Sequence, residues 1–145
     1  MARIFADTCG LVKIYRMETN SPQVRACFAN TDLIVIAQAS LLEFPSAFYG
    51  MIRQQRIAPE EAASYIDAFR TDLPQYEIIS SDTTVYSDAE RLLDYYAVTH
   101  NLRPMDSLQF ATALVTHRQS PLGSFVTTDS ALADVARAEG LTVRP

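Results

Sequence analysis

A chain of 145 residues, 48% hydrophobic and 20% charged, has the size and composition of one ordinary globular domain, long enough to bury roughly 68–70% of its unfolded surface. That composition excludes a disordered or fibrous protein, and no apolar run approaches the roughly 18 residues that a membrane span needs. A formal charge of −5 argues against a protein that grips nucleic acid by general electrostatic attraction, which requires clustered Lys and Arg.

The first residues, MARIFADTCG, lack the charged, apolar and small-residue regions of a secretory signal, so a cytoplasmic protein with no membrane association is expected. Arg3-Ile4-Phe5-Ala6 predicts a buried strand that turns at Asp7-Thr8 into a helix carrying Leu11, Val12, Ile14 and Tyr15. Cys9 and Cys27 belong to no C-x-x-C pair and are expected as reduced thiols. Ser21-Pro22 predicts a helix start for the stretch Gln23 to Asn30, and Leu33-Ile34-Val35-Ile36 a second strand covered on both faces.

From Ser40 to Arg56, Leu41, Leu42, Phe44, Phe48, Met51 and Ile52 recur at helical spacing. Pro45 interrupts the pattern, so the regular helix either begins near Phe44 or is kinked there. Pro59-Glu60-Glu61 opens another helix with acids at its positive end and Tyr65, Ile66 and Phe69 inward. Tyr76 to Ser80 predicts a third strand, and Ser81-Asp82-Thr83 caps a helix with Val85, Ala89, Leu92, Leu93 and Tyr96. The next helix starts at Leu102 to Asp106 and carries Leu108, Phe110, Ala111 and Leu114 on its apolar side. Ser124 to Thr127 is a fourth strand, running through Asp129-Ser130 into a helix that Gly140 ends in a left-handed cap, before a short strand at Thr142-Val143. His100 and His117 form no H-E-x-x-H pair and are expected as surface or capping residues. Alternating strands and helices imply one α/β domain over residues 1–145, a three-layer sandwich around a central, mostly parallel sheet.

In such sheets the ligand crevice lies beyond the carboxyl ends of the strands. Asp7 follows the first strand, Asp129 follows the fourth, and Glu43 and Asp106 stand in the first turns of helices, so all four acids are expected on one rim. Taken singly, each also fits a helix cap; Ser40-Leu-Leu-Glu43 even matches a capping box. Together, clustered carboxylates repel one another unless a cation neutralises them, and hard oxygen donors select Mg²⁺ or Mn²⁺. Two such ions can activate water and stabilise the leaving oxygen of a phosphodiester displacement. They would also cancel four of the five net negative charges, making the site cation-dominated.

Ile4-Phe5-Ala6-Asp7-Thr8-Cys9-Gly10-Leu11-Val12-Lys13, Ala39-Ser40-Leu41-Leu42-Glu43, Leu102-Arg103-Pro104-Met105-Asp106-Ser107-Leu108-Gln109-Phe110-Ala111-Thr112-Ala113 and Phe125-Val126-Thr127-Thr128-Asp129-Ser130-Ala131-Leu132, with Gly140-Leu141 after it, resemble, in order, the four motifs of PIN domains. Within that family the chain is most similar to VapC-like toxins. The resemblance implies a ribonuclease in which Asp7, Glu43, Asp106 and Asp129 bind Mg²⁺ or Mn²⁺, supported by hydrogen bonds from Thr8 or Thr127. It also implies an RNA substrate, a cognate antitoxin and a homodimer. Cys9 replaces a frequent Ser, and Gln109 stands where a His is often found.

Lys13, Arg16, Arg53, Arg56 and Arg103 are candidates for a phosphate track or for plain helix surface, with Arg103, nearest Asp106, the best substrate contact. Tyr15, Phe44, Phe48, Tyr95 and Tyr96 are expected in the core or at a dimer contact rather than as base-stacking platforms. A phosphoacceptor domain is disfavoured because Asp7 lacks a second acid beside it and Lys13 is the only lysine. A catalytically silent PIN-fold binding module remains the alternative.

Overall fold

In the computed structural model, which describes residues 2–29 and 33–145, strands and helices alternate as the apolar runs require. β1 (Arg3–Ala6) leads into α1 (Thr8–Tyr15) and α2 (Ser21–Phe28), and β2 (Leu33–Ala37) into α3 (Ser40–Arg53) and α4 (Pro59–Asp72). β3 (Glu77–Ile79) leads into α5 (Thr83–Tyr96) and α6 (Pro104–Gln119), and β4 (Ser124–Val126) into α7 (Ser130–Ala138) and β5 (Val143–Arg144). The strands pair in the order β3-β2-β1-β4-β5, and every pair is parallel. The expected mostly parallel sheet is thus wholly parallel.

Alternating side chains send Phe5, Val35 and Phe125 to one face, against Leu92 of α5, Phe110 of α6 and Val135 of α7. Ala6 and Ile36 face the opposite side, against Leu11, Phe44, Phe48 and Phe69 of α1, α3 and α4. Two apolar layers on a two-faced sheet give the three-layer sandwich. Phe44 stacks on Phe69 with ring centroids 4.1 Å apart, and Tyr15 meets both rings edge-on. Tyr15, Phe44, Phe48 and Tyr96 therefore serve packing, whereas Tyr95 is exposed.

The differences from expectation have local causes. The helix after β2 begins at Ser40, not near Phe44, and runs through Pro45 without a break. Pro45 removes one donor from the helix, but its ring is buried in the core. In α6 every residue from Ser107 to Thr116 is buried, polar ones included, because Thr112 and Thr116 return their hydroxyls to the carbonyls of Leu108 and Thr112. α2 begins at Ser21 and closes at Phe28; the predicted end at Asn30 lies outside the described residues. At the end of α7, Gly140 takes φ +92°, and Leu141 and Gly140 donate to Ala136 and Arg137, the left-handed cap expected there. His117 Nδ1 accepts from Leu122 N, a capping role. Among the described residues no helix is long and apolar enough to cross a membrane.

The strand order reverses direction at β1: β2 and β3 lie on one side, β4 and β5 on the other. The crevice at such a switch point opens beyond the carboxyl ends of β1 and β4.

Candidate active site

β1 delivers Asp7 to that crevice as the extended N-cap of α1, where its Oδ1 accepts from Gly10 N at 2.8 Å. The approach is close: a Cβ on Gly10 would lie 3.3 Å from both Asp7 Oδ1 and the Val126 carbonyl. The Cys9 thiol donates to the same carboxylate at 3.1 Å. Asp7 is only 3% exposed, and burial raises its carboxyl to about 6. Hydrogen bonds from Thr127, Gly10 and Cys9 oppose that rise, and the nearby charge of Asp129 adds to it. The Cys9 thiol is itself pushed up to about 12, first by burial and then by Asp7.

From β4, buried Thr127 touches Asp7 and accepts from Asp129 N at 3.1 Å. Asp129 caps α7 through Leu132 N. Thr127 therefore ties together the acids that follow the two adjacent strands.

Glu43 departs from its predicted capping box. α3 is preceded by Ala39, and no side chain caps it; Ser40 instead turns its hydroxyl inward. Glu43 Oε1 accepts from Gln109 Nε2 at 2.6 Å and from Thr8 Oγ1 at 3.1 Å. Gln109 Nε2 also lies 2.9 Å from Ser40 Oγ and 3.0 Å from Thr8 Oγ1. α1, α3 and α6 are thus joined through one buried amide. Ser40, expected as the cap of α3, is instead a strut between Thr8 and Gln109.

Asp106 does behave as a cap: its Oδ2 accepts from Arg103 N at 3.2 Å and from Arg103 Nε at 3.1 Å. The Arg103 side chain, 69% exposed, extends to within 3.9 Å of Asp129 Oδ2. An arginine of the chain itself thus spans two of the acids.

Asp7, Glu43, Asp106 and Asp129 all line one cavity of about 620 Å³, together with Thr8, Cys9, Gln109 and Arg103. Thr127 stands behind it, acting through Asp7. As the side chains are turned, no three acids, His or Cys among the described residues form a group that could hold a metal ion. The donor chemistry nonetheless fits a hard cation: four carboxylates share one cavity, and the burial penalty on Asp7 is one that a bound cation would offset. Of the other cations, Lys13 lines this cavity, Arg16 and Arg56 line an adjoining one, and Arg53 lines neither.

No family model matches the sequence, and no curated protein matches it. Solved structures are. VapC20 of Mycobacterium tuberculosis, described as a Sarcin-Ricin loop cleaving toxin, superimposes with a TM-score of 0.63 at 17% identity, covering 98% of this chain and 99% of that one. The chain shares its fold. A toxin-antitoxin complex from Klebsiella pneumoniae matches with TM-score 0.59 at 16% identity over 90% of each chain. VapBC2 from Rickettsia felis, bound to a DNA fragment from its promoter, matches with TM-score 0.63 at 16% identity over 97% and 96%. The architecture of this chain is therefore the PIN-like one that its motifs imply.

Proposed function

We propose that this chain is a metal-dependent endoribonuclease acting as the toxin of a toxin–antitoxin pair. The observation that carries the reading is the convergence of Asp7, Glu43, Asp106 and Asp129 on one cavity at the switch point of a parallel sheet. These four carboxylates would hold Mg²⁺ or Mn²⁺, which supplies a polarised water and charge neutralisation for phosphodiester hydrolysis. Thr8 and Gln109 orient Glu43, Thr127 orients Asp7, and Arg103 can leave its exposed position to meet a phosphate. The partnership with an antitoxin draws support from the complexes among the structural neighbours; an RNA substrate and homodimerisation follow from the motif resemblance.

A catalytically silent module is the second reading, favoured by the seat Arg103 takes between Asp106 and Asp129. One experiment separates the two. Purified protein free of partner should cleave total RNA with Mn²⁺ and stop with EDTA, and Mn²⁺ should raise its melting temperature because a ligand of the folded state alone stabilises it. Asp106→Asn should abolish cleavage and blunt the Mn²⁺ shift. Cleavage that survives chelation defeats the metal mechanism; a fold that neither cleaves RNA nor responds to Mn²⁺ establishes the silent module.

A further inference from the structure

Beside the acidic cavity lies a second one of about 420 Å³, lined by Lys13, Arg16, Arg56, Glu18, Asn20 and Thr128 among others. Its charges do not balance. Glu18 serves two cations, Lys13 Nζ at 3.4 Å and Arg16 at 2.8 Å, with side chains only 16% and 20% exposed. Among the described residues Arg56 bonds the neutral Gln54 amide oxygen, at 3.4 Å. Three cations thus face one carboxylate, in a chain whose formal charge is −5. Lys13 and Arg16 share the charge of Glu18, and exposed Arg56 carries a positive charge that no carboxylate lining this cavity meets, which suits it to an incoming anion. The acids do not supply that anion, since Arg16 and Arg56 do not line their cavity.

Lys13 lines both cavities, so a phosphate held among these cations lies beside the acidic site, as a neighbouring phosphate of one strand would.

We infer that Lys13, Arg16 and Arg56 form a subsite for a backbone phosphate of the RNA strand, next to the scissile position; this rests on the ribonuclease reading and deepens it. The subsite reads charge, not base identity, and Glu18 holds the cations in place while lowering their pull on the strand.

The test measures binding of the full chain to a pool of random-sequence 20-nucleotide RNA in EDTA, where no cleavage occurs, across a range of salt. The double variant Arg16→Gln/Arg56→Gln should bind roughly tenfold more weakly, and its log Kd against log salt slope should fall by about 1.4, near 0.7 per lost single-strand contact. Arg56→Gln alone changes an exposed side chain, so it checks the same slope with folding undisturbed, and Arg56→Lys should restore most of the affinity. Glu18→Gln should bind RNA severalfold more tightly, a gain that a purely structural cluster would not give. Unchanged affinity and slope in Arg56→Gln and the double variant, with wild type cleaving RNA in Mn²⁺, overturn the subsite and leave the ribonuclease reading standing. Wild type that cleaves no RNA overturns both. Tighter binding of duplex DNA than of the RNA pool overturns the assignment to an RNA strand.

Discussion

Gln109 Nε2 donates to Glu43 Oε1 at 2.6 Å from a side chain 3% exposed, while its own Oε1 is buried and has no hydrogen-bond partner among the described residues. The amide is therefore oriented by the acid it serves. Gln109→Met keeps the length and removes both ends of the amide. Losing the bond to charged Glu43 costs about 1.5–3 kcal/mol and the bond to a hydroxyl about 1 more, while removing a buried orphan acceptor returns about 1–3 kcal/mol. Thermal stability should therefore fall by no more than about 2 kcal/mol while RNA cleavage falls at least tenfold. A large loss of stability with cleavage intact would make Gln109 a core strut only.

Asp7 predicts a pH dependence. Its carboxyl sits at about 6 in the fold against an ordinary value of 3.8, so the fold favours the protonated form. The associated stability is complete below pH 3.8 and is lost as pH rises through 6, a difference of about 3 kcal/mol at 1.36 kcal/mol per pH unit. Asp7→Asn mimics the protonated state. In EDTA it should be more stable than wild type by about 2–3 kcal/mol at pH 7 and nearly equal at pH 4, measured by urea unfolding. A constant difference across that range would show that burial does not govern this acid.

Arg103→Gln should separate the two roles open to this residue. Its contacts with Asp106 and Asp129 compete with any cation there, so the variant should bind Mn²⁺ severalfold more tightly by calorimetry. If the side chain also meets phosphate, cleavage should fall despite the tighter metal, by about 1 kcal/mol or more in kcat/KM. Weaker Mn²⁺ binding would mean that Arg103 organises the acids rather than screening them.

Cys9 lies in the cavity wall with its thiol held at about 12, so almost no thiolate exists at pH 8. Iodoacetamide should leave it unmodified in the folded protein and label it readily in urea, as read by peptide mass spectrometry. Rapid labelling of the folded chain would contradict the burial described here.

Much of this was legible in sequence, because the strands and the acids follow local rules. Leu33 to Ile36 is apolar throughout, and a strand covered on both faces must be. Asp7 directly follows such a run and Asp129 comes within three residues of one, so their placement needed only the rule that ligands collect beyond strand ends. What escaped notice depended on long-range contact. Ser40 reads as a cap three residues before Glu43, yet its hydroxyl turns to Gln109, which is far away in the chain. The burial of α6 on all sides was hidden by Thr112 and Thr116, whose hydroxyls are satisfied within the helix. The charge surplus around Glu18 appears only when α1 and the turn beyond it are folded against Arg56.

β1 and β4 are neighbours in the sheet, but nearly the whole chain separates Asp7 from Thr127 and Asp129. The crevice between them cannot close until the ribosome has released the segment that carries β4, because contacts so distant in sequence are the last a chain can make during synthesis. A nascent chain that has not yet exposed β4 lacks both Asp129 and the Thr127 hydroxyl that touches Asp7, so under the ribonuclease reading its acidic site is still incomplete while β1 and β2 are already made.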